Sequence, residues 1–150
     1  MDGVKNSDDG QISILLIGMM SVSLLLILGV IGATSMQLSR IQLLDAADAA
    51  ALDAADSIAE ATVYEGGVGD GLQLTSDGVV AAASENLAQR VRPGRVASWN
   101  VAGGTGTPDG RTAVVVVQGQ AAIPVISQAL DVFGNSITIT VQSSARSDVN

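Results

Sequence analysis

The stretch that decides the fold runs from Gln11 to Ser39, QISILLIGMMSVSLLLILGVIGATSMQLS, 29 residues without a charge. Within it, Ile12 to Ile31 is dominated by Ile, Leu, Met and Val. A helix needs about 20 apolar residues to cross a hydrocarbon core of roughly 30 Å, so the stretch is long enough. Three readings compete. A core helix of a soluble protein needs apolar surface on all sides, and a chain of 150 residues has little left to supply it. A cleaved secretory signal has an apolar core of about 7 to 15 residues behind a basic start. Here Asp2, Asp8 and Asp9 outnumber Lys5, although Ala33-Thr34-Ser35 has the small side chains of a cleavage site. An uncleaved membrane anchor is the reading preferred.

Working outward from the span, Lys5 precedes it and Arg40 is the only basic residue for about fifty positions after it. The α-amino group added to Lys5 gives a narrow excess of positive charge before the span, which together with the polar bulk after it predicts an N terminus inside and a C-terminal part outside. Gly29 and Ala33 are small residues four apart, as are Ser35 and Ser39, a spacing that lets another helix approach closely in lipid.

The helical pattern continues past the span, because Ser39 to Ala61 contains no Gly or Pro and is mostly Ala. At 100° per residue, Asp45, Asp48, Asp53, Asp56 and Glu60 share an arc of about 140°, and Ala47, Ala50, Ala51, Ala54 and Ile58 lie opposite. Carboxylates splayed along a straight helix do not enclose a calcium ion, which takes six to eight oxygens, so the acidic row reads as a solvated face. The smooth face reads as a packing face for partner helices in an assembly.

After Val63 the composition changes. Glu65 to Gly71 is a Gly-rich linker without the Lys-Ser/Thr of a phosphate-binding loop. Thr75-Ser76-Asp77 offers an N-cap for a second helix running to Val91, which Pro93-Gly94 ends. Strands are expected over 95–101 and 112–118, joined by the turn chemistry of Gly103 to Gly110, then a short helix over 124–132 and a strand carrying Ile137, Ile139 and Val141 on one face. Trp99 reads as a core anchor of the sheet, with a ligand contact as the alternative. Arg90, Arg92, Arg95 and Arg111 form the basic cluster, which could face the acidic row of another copy or simply be solvated.

The expected fold is therefore α+β: a long N-terminal helix, transmembrane and then stalk, followed by a small domain in which a helix packs on an antiparallel sheet. The divisions are a tail at 1–10, a transmembrane helix at 11–36, an Ala/Asp-rich stalk at 37–62, the linker at 63–74 and the domain at 75–150. A net charge of −8 repels a phosphate backbone and excludes nucleic acid as a partner. With neither cysteine nor histidine, the chain lacks the usual nucleophile, base and metal ligands, and no Gly-x-Ser-x-Gly elbow is present. Neither an enzyme nor a cofactor is expected.

The Gly-led apolar segment Gly10 to Gly18, followed by polar Arg40 and the Ala-Ala-Asp-Ala-Ala-Ala-Leu run of Ala46 to Leu52, resembles the N-terminal module of TadE/TadG-like proteins of the Flp (tight adherence) type IV pilus system. The resemblance covers about residues 10 to 57, and the segment Gln120 to Arg146 is similar to the closing part of short members. It implies a pseudopilin-like accessory subunit, anchored once, whose partners are membrane lipid, other pilin-like or pilus-machine subunits, and copies of itself. It also makes Gly10-Gln11 a candidate processing site. Prepilin peptidase substrates usually carry Glu at the fifth mature position, and Leu15 stands there, so most copies are expected to keep Asp2 to Asp9. The candidate helix-packing face comprises Gly29, Ala33, Ala47, Ala50, Ala51, Ala54 and Ile58. The competing reading is a membrane-tethered extracytoplasmic binding or sensing module unrelated to pili, with the Gly-rich segment as its tether.

Overall fold

A computed structural model describes residues 8–64, 74–122 and 136–146, with side chains of the first stretch described over 11–57. The first element, α1, is one helix from Asp8 to Tyr64, 57 residues and about 85 Å long. Its two halves live in different surroundings. From Gln11 to Thr34 every side chain but one is exposed, including Leu24, Leu25, Leu26 and Ile27. From Ser35 onward a stripe becomes buried: Ser35, Ser39, Leu43, Ala46, Ala47, Ala50, Ala51, Ala54 and Ala55 recur at the spacing of one helix face.

What covers that stripe is the rest of the chain. Helix α2, Ser76–Gln89, starts where the Thr75 side chain accepts a hydrogen bond from the Gly78 amide at 3.2 Å. It buries Val79, Ala83 and Leu87, one residue per turn, toward α1 and the sheet. Strands β1 (Val96–Val101), β2 (Thr112–Ala122) and β3 (Ser136–Arg146) form an antiparallel sheet in the order β1-β2-β3. The pairings include Trp99 with Gly119, Val117 with Val141 and Gly119 with Ile139.

Because side chains alternate along a strand, this register sorts the sheet into two faces. Ala113, Val115 and Val117 of β2, with Val96 of β1 and Val141 of β3, join Leu43 and the alanines of α1 in one core. The opposite face carries Thr138, Thr140, Gln142 and Ser144 of β3 and Gln118 and Gln120 of β2. On that face Val116 is buried, because the loop after β1 folds back along β2. Thr105 Oγ1 accepts from the Val116 amide at 3.0 Å and Gly106 bridges to Val114.

The α+β architecture expected from the sequence is the one observed: a long N-terminal helix, then a helix and an antiparallel sheet. Strand β2 runs four residues further than expected, to Ala122, and β3 pairs with it along its whole length. The expected linker at 65–71 and short helix at 124–132 lie outside the described residues.

One expectation is corrected. The small face of the stalk was assigned to partner helices of an assembly, yet Ala47, Ala50, Ala51 and Ala54 are fully buried within the single chain, under its own α2 and sheet. The physical reason is proximity. A covering surface on the same chain pays only loop-closure entropy, which grows slowly with length, whereas a separate subunit loses translational and rotational freedom.

Candidate assembly and membrane interface

The packing face named from the sequence thus divides in two. Ala47, Ala50, Ala51 and Ala54 are occupied by the chain itself. Ala33 is exposed, and a side chain built at Gly29 would meet nothing within 4 Å, so this pair lies open on the bare half of α1. The side chain of Ile58 lies outside the described residues. Gly10 and Gln11, the candidate processing site, sit in the first turns of α1, with Gln11 exposed.

The bare half is chemically suited to lipid. Among the described residues one helical stretch, Gln11–Ser57, is long and apolar enough to cross a membrane, with a mean hydropathy of 2.8 over its most apolar part and none of that part buried. Its backbone groups are satisfied within the helix, the condition for spanning hydrocarbon. Hydroxyls inside it are satisfied as well: Ser21 donates to the Ile17 carbonyl and Ser23 to the Met19 carbonyl, each at 2.8 Å.

At the other end of the interface the domain is fixed to α1 by contacts that composition did not reveal. The Arg90 guanidinium donates to the Asp45 carbonyl at 3.1 Å and to its carboxylate at 3.4 Å. Arg95 donates to Ser35 Oγ at 3.3 Å, and Ser39 Oγ donates to the Ser35 carbonyl at 3.1 Å. Two members of the basic cluster therefore reach α1 of their own chain, one of them at the acidic row. The pair Arg90–Asp45 is exposed enough that it orients the domain more than it stabilises it.

Trp99 is half-buried against the core, as expected of an anchor. It also lines an open groove between α2 and β1 with Val80, Ser84, Leu87 and Val101. Sequence reasoning missed Gly119, where a strand crosses α1 so closely that an added Cβ would force the Leu43 side chain to shift. A glycine amid strand residues was the available signal. Among the described residues, no group of three or more His, Cys, Asp or Glu side chains converges as metal ligands would.

Residues 10–57 match the family model described as "Putative Flp pilus-assembly TadE/G-like". The match covers about a third of the chain and takes in both the bare half of α1 and its buried stripe. No curated protein and no solved structure matches the chain.

Proposed function

We propose that the chain is a pseudopilin-like structural subunit of an Flp-type pilus or related secretion machine, with no catalytic role of its own. The family match supports a role associated with pilus assembly. The observation that carries the finer reading is that the matched segment is one helix with two duties. Its first half is bare and apolar; its second half is clasped by the domain that follows.

A helix so divided can sit in lipid, pack laterally against other spans through Gly29 and Ala33, and carry its domain rigidly when it moves. In this reading the N terminus is cytoplasmic and the domain extracytoplasmic. The open groove beside Trp99 is the one feature that favours a tethered binding module. Such a module is served by a free domain, and here the domain is docked on its anchor.

The test is co-purification from membranes with neighbouring pilus-machine components. The full chain is expected to bring them down, and a variant carrying Gly29→Leu and Ala33→Leu is expected to lose them while still fractionating with membranes. Equal recovery by both proteins argues for the tethered module. Protease added to spheroplasts is expected to remove a C-terminal tag, and protection of that tag contradicts the topology. Intact-mass measurement reads processing, with a dominant species beginning at Gln11 as the contrary result.

A further inference from the structure

The turn between α2 and β1 reads Arg90-Val91-Arg92-Pro93-Gly94-Arg95, and its geometry is unusual for a soluble surface. Val91 is 93% exposed, more than any other large apolar side chain described, including those of the span. Arg92 and Arg95 beside it are exposed. Nor is the turn loose. The Arg90 amide donates to the Asn86 carbonyl, the Val96 amide to Pro93, and the Ala122 amide to Arg95, at 2.9 to 3.1 Å. Val91 is thus held outward by a fixed backbone.

The height of this turn along α1 is bracketed by two contacts: Arg90 meets Asp45 at its outer end, and Arg95 meets Ser35 ten residues, about 15 Å, nearer the span. The strongly apolar run Ile12 to Ile31 spans about 30 Å, the thickness of the hydrocarbon core, and Ser35 lies four residues, about 6 Å, beyond it. That is the depth of the headgroup layer. Arg40 is exposed a turn and a half further along α1, and the first acidic residue of α1 after the span, Asp45, is already engaged by Arg90. A chain with a net charge of −8 therefore presents a locally basic rim at the level where the C-terminal end of its span would meet lipid phosphates.

We propose that the α2–β1 turn is a second membrane contact, in which Arg92 and Arg95 engage anionic phospholipid headgroups and Val91 enters the headgroup layer, seating the domain on the bilayer surface. The proposal rests on the reading of α1 as a membrane span. Basic residues near an anionic surface each shift partitioning by roughly fivefold, and an apolar side chain at the same level adds to that. Seating would fix the tilt of α1 by a contact outside the span.

The chain has no cysteine, so single cysteines can report position. The full-length protein carries an environment-sensitive fluorophore on Val91→Cys, on Leu25→Cys within the span, or on Ser144→Cys, exposed on the outer face of the sheet at the end away from Arg95. Each is placed in nanodiscs of phosphatidylcholine, alone or mixed with phosphatidylglycerol, containing nitroxide-labelled lipid as quencher. Expected is quenching at 25 in both lipids, none at 144, and quenching at 91 that is strong in the anionic discs. Adding Arg92→Gln and Arg95→Gln is expected to shift the docked fraction at 91 by roughly 25-fold. Quenching at 25 with none at 91 overturns the proposal and leaves the span intact. Absence of quenching at 25 overturns both. Quenching at 91 that ignores lipid charge and both arginines overturns the role of the arginines, and with it the proposal.

Discussion

Gly119 of β2 faces Leu43 of α1 so closely that a Cβ built on the glycine lies 2.6 Å from one Leu43 methyl carbon and 2.9 Å from the other. The contact is where the sheet seats on the long helix. Leu43 is fully buried, so a side chain at 119 is accommodated only if its methyl groups shift, and the glycine serves the approach of two elements rather than a turn.

Replacing Gly119 with Val is expected to destabilise the chain by about 1 to 3 kcal/mol, the usual cost of overpacking a filled core. A double-mutant cycle checks the cause, since Leu43→Ala in the same chain removes the clash. Thermal unfolding in detergent measures both. The two losses should fail to add, with the double variant more stable than their sum implies. Strict additivity would show that the two residues do not meet.

On the stripe of α1, Ala50→Leu and Ala54→Leu are expected to loosen the domain from its own helix, again by about 1 to 3 kcal/mol each. Asp53→Asn, on the exposed side of the same turns, is expected to change stability by less than about 0.5 kcal/mol. Leu is nearly as good a helix former as Ala, so a loss reports packing rather than unfolding of α1. Limited proteolysis of the domain reads the difference, and equal rates for all three variants would oppose the packing described.

How far this arrangement was legible in the sequence depends on the kind of signal. The uncharged run from Gln11 to Ser39 announced an apolar helix long enough to span a membrane, and Thr75 announced the start of α2 by its capping chemistry. Alternation of Ile137, Ile139 and Val141 with threonines revealed β3 and its two faces. The alanine stripe was legible as a face that must be covered, but periodicity is blind to what covers it. Nothing local to Ala50 distinguishes another subunit's helix from β2 of the same chain, more than sixty residues away. Gly119 and Ala121 carry little strand propensity, so the end of β2 was missed for the same reason: its pairing with Ile139 and Ile137 is a tertiary fact.

At the distal turn, Asp109 accepts hydrogen bonds from the amides of Arg111 and Thr112, at 2.9 and 2.6 Å, and from the Thr112 hydroxyl at 2.9 Å. These bonds, that of Arg111 first, hold its carboxyl below the ordinary value of 3.8. A carboxylate depressed in the folded state contributes stability above its unfolded pKa and loses it as pH falls through the folded one. The Arg111 and Thr112 amides should therefore stay protected from exchange through pH 4 and open only below it, and Asp109→Asn should remove that dependence. An Asp109 that titrates in NMR at or above its ordinary value would contradict the turn.

The cap of α2 offers a smaller and separate check. Thr75→Ala removes the acceptor for the Gly78 amide and is expected to cost about 1 kcal/mol, while Thr75→Ser should be nearly neutral. Chemical unfolding of the full chain in detergent distinguishes the two, and a neutral alanine variant would show that the cap contributes nothing.

The central claim is that α1 is clasped by the domain of its own chain, leaving only its bare half for lipid and neighbours. The Arg90–Asp45 pair tests it most directly, because these side chains bridge domain and helix and the chain contains no competing cysteine. With Asp45→Cys and Arg90→Cys introduced together, a short bifunctional thiol reagent applied to native membranes is expected to give a monomer cross-linked within itself. Peptide mapping would join α1 to the end of α2 in that monomer. Cross-linked dimers in place of that monomer would mean that the arginines of one copy meet the acidic row of another, and would contradict the account.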